Sequence, residues 1–345
     1  VCSSDLIIAD ASDDDSLKEI IDEFVAADDK KTEIRYFKLE ENLGIAGNTN
    51  AALSHATGDF VAAVDHDDFL ADDALFSVAA ALQDGSEIVY TDEDKYNPDE
   101  DRYFCPNRKP DFNKDLLLSN NYICHLFVVK RAIAEAVGAF RSGYDGAQDY
   151  DFILRCTDAV ETAKISHVSE ILYHWCVSDN STADNPMSKS YAYEKGREAI
   201  ESYLASKKIA AEVKDTRHRG FYRINYDRGH VLRDEYCLIL DKKLIPLTDD
   251  YEEILSSYFV REEVGAVGGR IIGELGNIIC NGYSMDAFGR RVSLYGKMHT
   301  RLSGYMHRAS MQQDVEAVSV HACVVRRSLM KYYDLQDFYT RMFIV

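Results

Sequence analysis

The chain has no two cysteines at C-x-x-C spacing; its eight cysteines stand singly. That pattern suggests neither a zinc ribbon nor a disulfide framework, which fits a reducing, cytoplasmic setting. No apolar run approaches the roughly 18–20 residues of a membrane span, and the first residues lack the form of a signal peptide. Basic residues are scarce: 39 lysines and arginines stand against 59 aspartates and glutamates, a formal net charge of -20. A surface of that sign argues against a polyanion partner, so no nucleic acid is expected, and it leaves small substrates open. What is present is 345 residues, 46% of them apolar, enough for two domains with a core each. Asn180-Ser181-Thr182 has the form of a glycosylation sequon and nothing more, since no sign of secretion accompanies it. The chain starts at Val1 without a methionine and reads as a fragment whose first few residues are foreign to it.

The stretch from Asp59 to Asp68 organises the rest. Residues 60–64 are a short apolar run of the kind a buried strand shows, and Asp65, His66, Asp67 and Asp68 follow at once. Open α/β sheets bind their ligands beyond the carboxyl ends of strands, and Asp65-x-Asp67 offers hard oxygen ligands to one cation. An acidic turn is the plainer reading. Around this stretch, strand candidates at 6–9 and 34–39 alternate with helical patterns, the rhythm of a wound α/β sheet. In the first helix Leu17, Ile20, Ile21, Phe24 and Val25 share one face, which is expected to be core. The second strand leads into Asn42-Leu43-Gly44-Ile45-Ala46-Gly47-Asn48, a glycine and amide turn suited to a polar ligand's approach to backbone N–H groups, or simply a tight connection. A further strand at 87–90 is expected to end in a second acidic cluster, Asp92-Glu93-Asp94, that either faces the same cleft or forms a solvated loop.

Later come Asn120-Asn121-Tyr122-Ile123-Cys124-His125, then Gly146-Ala147-Gln148-Asp149-Tyr150-Asp151 at the start of a helix. A strand at 171–173 delivers His174 and Trp175. Acids in a first helical turn are favoured by the helix dipole alone. A glycine-bounded loop, however, also gives Asp149 the cleft-edge position that a general base occupies.

Taken in order, Asn42-x-Gly44, Asp65-x-Asp67, Gln148-Asp149-x-Asp151 and Tyr173-His174-Trp175 resemble the family-2 glycosyltransferases, in particular bacterial enzymes of cell-surface polysaccharide assembly. The resemblance spans about residues 6–206. It implies an α/β fold of the GT-A type, a wound mixed sheet binding a nucleotide-diphosphate sugar. It further implies a divalent cation, manganese or magnesium, and inversion at the anomeric carbon. Carried onto this chain, it makes Asp149 the catalytic base and places Asp10, Asn42, Gly44, Asn48, Asp65 and Asp151 at the nucleotide sugar. Asp65, Asp67 and His174 would hold the metal, with Asp67 the more direct ligand. The expected partners are the donor and a glycan or lipid-linked acceptor, with peripheral association at the inner face of the membrane. Two departures stand out: the family's opening strand is absent, and Thr49 stands where many relatives have an arginine.

The domains are expected at residues 1–206 for the transferase, 207–229 for a polar, basic linker with Lys207, Lys208, Arg217, Arg219 and Arg223, and 230–345 for a truncated, degenerate transferase-like module. There Asp241-Lys242-Lys243 stands where an acidic motif would be, so no activity is expected of this module. The expected function is metal-dependent, inverting sugar transfer in polysaccharide synthesis. The rival readings are a non-catalytic nucleotide-sugar or glycan-binding protein and a nucleotidylyltransferase, which would show a glycine-rich, basic turn near its start.

Overall fold

The computed structural model describes residues 5–27, 33–177 and 190–332; the Asn180 sequon lies outside them. By its contacts the chain forms two compact units, residues 1–112 with 121–203, and residues 113–120 with 204–345.

The first unit is mixed α/β. Its elements are β1 (Asp5–Asp10), α1 (Ser16–Ala27), β2 (Glu33–Lys38), α2 (Gly44–Ser54), β3 (Phe60–Ala62), β4 (Phe69–Leu70), α3 (Ala74–Gln83), β5 (Ile88–Asn97) and β6 (Arg102–Asn107). After α4 (Lys114–Ser119), which belongs to the second unit, come β7 (Phe127–Lys130), α5 (Arg131–Ala136), α6 (Gln148–Asp158), β8 (Ile165–Cys176) and α7 (Ser190–Ser206). Strands β1 and β2 pair in parallel as a sheet of two. The larger sheet runs β3-β7-β5-β8-β4 with β6 on β5, and only its β5–β8 pairing is parallel. Val78, Val89, Leu126, Val128 and Tyr173 form a core cluster of it, apolar bodies from a helix, three strands and the residue just before β7 that burial drives together.

One expectation fails here, and so does one of the two readings of the second acidic cluster. The apolar face of α1 is not core: Ile21 is buried, whereas Ile20 and Phe24 are 63% and 55% exposed. With β1 and β2 in a sheet of their own, the stripe has little sheet surface to cover. The cluster Asp92-Glu93-Asp94 is neither a loop nor solvated. All three residues are buried within β5, which continues to Asn97, because each finds a partner from a distant part of the chain.

In the second unit, β9 (Ala211–Asp215) and β10 (Tyr222–Tyr226) form an antiparallel hairpin within the basic stretch 207–229. Strands β11 (Tyr236–Leu240), β12 (Ala266–Gly268) and β17 (Ala322–Arg326) form an antiparallel sheet, and α8 (Tyr251–Ser257) follows β11. Between them lie the short hairpins β13 (Ile271–Ile272) with β14 (Ile278–Cys280), and β15 (Tyr283–Met285) with β16 (Arg291–Ser293). Val231, Tyr236, Phe259 and Val324 are the core. The buried guanidinium of Arg261 is neutralised by Asp115 of α4 and hydrogen-bonds Tyr226 Oη at 3.0 Å, which ties that helix into the unit. No helix among the described residues is long and apolar enough to cross a membrane.

Candidate active site

After β3 the chain turns, with Asp68 N donating to Asp65 O at 3.1 Å, and β4 then pairs with β8 so that Phe69 faces His174 and Leu70 faces Tyr173. That register brings the Tyr173 hydroxyl to the turn. It donates to Asp68 Oδ2 at 2.5 Å and accepts from Asp65 N at 3.3 Å, while Cys176 N donates to Asp68 Oδ1 at 2.9 Å. Burial pushes the Asp68 carboxyl above the usual range, against the pull of those two donors. His125 stacks on the Tyr173 ring, centroids 4.7 Å apart, with its Nε2 3.7 Å from Asp65 Oδ2. One ligand atom from each of Asp65, Asp68 and His125 thus lies within 4.8 Å of the others. Two hard carboxylates and an imidazole are a donor set that suits a divalent first-row cation or magnesium. Asp67 is exposed in the same turn, and no hydrogen bond or ion pair reaches it among the described residues.

His125 is held by a buried cation. The Lys109 side chain is fully covered, and its Nζ donates to Glu93 Oε2 at 3.2 Å, to Ile123 O at 2.5 Å and to His125 O. Glu93 Oε2 also accepts from His125 N at 3.1 Å, and its Oε1 accepts from Asn107 Nδ2 at 3.0 Å. A charge pair taken out of water is tolerated only when its remaining donors and acceptors are met, as they are here by backbone at both ends of the 123–125 segment. The other acids of β5 are also paired. Asp92 accepts from Lys109 N at 2.8 Å and meets His167 Nε2 at 2.8 Å, and Asp94 meets His174 Nδ1 at 2.6 Å.

Asp149 lies in the first turn of α6, and Asn121 Nδ2 donates to its Oδ2 at 2.7 Å. Burial raises its carboxyl above the usual range; the charge of His125 opposes that rise and that of Asp65 adds to it. Asp65, His125 and Asp149 therefore share one electrostatic neighbourhood.

The remaining expected site residues lie apart from this cluster. His174 is bound to Asp94 and packs against Phe69, ring centroids 4.8 Å apart. Asp151 is 1% exposed and gripped by Arg141 and Arg155, so its carboxylate is committed to the interior. Asn42 Oδ1 accepts from Gly44 N and from Asn48 Nδ2, both at 3.0 Å, and Asn48 Oδ1 accepts from Leu43 N at 3.0 Å. These amides close their own turn. The N-terminus of α2 is taken by Asp145, whose Oδ1 accepts from Ala46 N at 3.2 Å. Asp10, at the end of β1, is buried; burial would raise its carboxyl, but donors at Tyr36, Ser12 and Lys38 outweigh that and hold it well below the usual range. His125, Asn121, Lys109 and Tyr173 had no role in the sequence reading, although three of them stand in the runs quoted there.

Residues 4–138 match the family model described as Glycosyl transferase family 2. An uncharacterised protein, y4gI, of Sinorhizobium fredii is 39% identical over 199 residues, 57% of this chain and 21% of that protein. The O-antigen biosynthesis protein RfbC of Myxococcus xanthus is 34% identical over 210 residues, 60% of this chain and 16% of that protein. The chain thus spans about a fifth of the length of these relatives. Among solved structures, S. aureus TarS 1-349 in complex with UDP-GlcNAc matches at 19% identity and a TM-score of 0.46, over 58% of this chain and 57% of that one. Residues 4–138, most of which lie in the mixed α/β first unit, are thus similar to the family-2 glycosyltransferases.

Proposed function

We propose that the first unit transfers a sugar from a nucleotide-diphosphate donor to a hydroxyl of a glycan or lipid-linked acceptor, with inversion and with a divalent cation. The observation that carries this reading is the placement of Asp149, a carboxylate with a raised pKa, in the same electrostatic neighbourhood as the Asp65, Asp68 and His125 cluster. Asp65, Asp68 and His125 would hold the cation, with Asp67 at the exposed rim of the same turn. Manganese or magnesium bound there would act as a Lewis acid on the departing diphosphate.

The rest of the chemistry falls to the protein. Asp149, deprotonated and fixed by Asn121, accepts the proton of the attacking acceptor hydroxyl. Because burial makes it a stronger base than an exposed carboxylate, more of the proton's transfer is accomplished at the transition state. Tyr173 holds Asp68 and the Asp65 backbone in place through one hydroxyl, so the turn keeps its shape as charge develops beside it. A direct displacement by the acceptor inverts the anomeric centre and needs no covalent enzyme intermediate. Asp10, Asn42, Gly44 and Asn48 act at one remove, by fixing the ends of β1 and the turn before α2. We assign the second unit no metal centre of its own: Asp241 accepts from Lys243 N at 2.9 Å and meets His321 Nδ1 at 3.1 Å.

Assay of a panel of nucleotide sugars with and without chelator tests the reading. Transfer that needs added manganese or magnesium is the expected result, and full transfer in excess chelator contradicts it.

A further inference from the structure

We infer that the second unit carries a binding site for a diphosphate group, in the cavity beside the β9–β10 hairpin. The cavity measures about 410 Å³, and Lys214, Arg217, Arg223 and Arg270 line it with Asp215 as their one acidic neighbour in the lining. In a chain of net charge -20 such a concentration of cations runs against the overall surface. Basic residues of the stretch 207–229 supply three of the four.

The hairpin register sharpens the point. Lys214 stands directly opposite Arg223 across the antiparallel pair, and like charges so placed destabilise a sheet. Lys214 has Glu212 at 2.9 Å. Arg223 has no ion pair or side-chain hydrogen bond among the described residues, and the Arg270 guanidinium donates only to Ala309 O at 3.2 Å. Arg217 Nε donates to His218 Nε2 at 3.0 Å, which requires that ring nitrogen to be an acceptor and the imidazole to be neutral. Burial and the charge of Arg217 both lower the pKa of His218, and burial together with Arg223 lowers that of Arg270. Three guanidiniums therefore face one cavity with a single carboxylate, Asp215, in its lining. With Lys214 offset by Glu212 and one arginine by Asp215, the excess of about two positive charges is too large for a single carboxylate group and matches a diphosphate, whose oxygens also suit the forked donors of arginine. Thr300 adds a hydroxyl to the lining.

This inference stands apart from the roles given to Asp65 and Asp149. Its test is calorimetric titration of inorganic pyrophosphate into the whole chain in the presence of chelator, which removes any metal-bridged mode in the first unit. Saturable one-site binding is expected, weakened at least about tenfold in the double variant Arg223→Ala, Arg270→Ala and unchanged in Lys18→Ala, which removes an exposed charge elsewhere. Arg223→Gln, which relieves the Lys214 repulsion, should melt no lower than the parent while still binding more weakly. Competition then separates the sources of the group. Displacement by UDP marks a nucleotide, and displacement by vesicles carrying a lipid diphosphate but not by UDP marks a carrier lipid. Absence of saturable binding, equal binding by the double variant, or displacement by neither competitor overturns the proposal.

Discussion

The side-chain amide of Asn121 donates to Asp149 Oδ2 at 2.7 Å, joining the segment before β7 to the first turn of α6. One carboxylate oxygen is thereby anchored, and the backbone N–H of Tyr150 also donates to the carboxylate. Burial raises the Asp149 pKa, so the carboxylate loses its ability to accept a proton as pH falls through a value above the ordinary aspartate range. The kcat/KM profile should show its acid limb there. Asn121→Ala removes a donor that favours the charged form, so its limb should move to still higher pH. An unmoved limb would detach Asn121 from the mechanism.

The structure and the sequence motif nominate different histidines for the cation. His125 lies in the cluster with Asp65 and Asp68, and His174 lies against Asp94. Titration of manganese should show affinity falling at least about tenfold in His125→Ala and much less in His174→Ala. The reverse order would return the role to His174.

Lys109 is a fully covered ammonium whose partners include Glu93 and two backbone carbonyls. Lys109→Met strands the Glu93 charge, and loss of one partner of a buried pair costs about 3–5 kcal/mol. Denaturant unfolding should show that loss, and the double change Lys109→Met, Glu93→Leu should recover a large part of it. A single variant as stable as the parent would show that the pair is dispensable.

Gly44 has a φ of +78°, and a Cβ there would lie 2.7 Å from Asp145 Oδ2. Left-handed backbone alone costs a residue with a side chain about 1–2 kcal/mol. Gly44→Ala should therefore lower the melting temperature measurably, whereas Gly143→Ala, with nothing within 4 Å of its added carbon, should not. Equal melting of the two would contradict this account of the turn.

Element placement was legible wherever periodicity and punctuation agreed. The strands expected at 6–9 and 34–39 are β1 and β2, and the acidic turn after residue 64 lies between β3 and β4. The misreadings concern partners far away in sequence. A solvated loop stood as one reading of Asp92 and Asp94 because local pattern shows three acids in a row, while His167 and His174, which neutralise their burial cost, lie 75 and 80 residues on. The same limit hid His125, whose place beside Asp65 depends on the Tyr173 ring and on Lys109. The stripe on α1 failed for another reason: amphipathic spacing states which face could be buried, not whether a sheet lies beneath it.

Asp149 as the proton acceptor is the claim on which the account turns, and Asp149→Asn tests it most directly. The amide keeps an oxygen for Asn121, and it removes a buried carboxyl whose raised pKa costs stability above the unfolded value. The variant should therefore melt at or above the parent's temperature at neutral pH. Donor binding should be retained. The measurement is initial-rate sugar transfer by this folded variant at saturating cation: a fall of at least about a hundredfold is the predicted result, and transfer within a few fold of the parent would contradict the account.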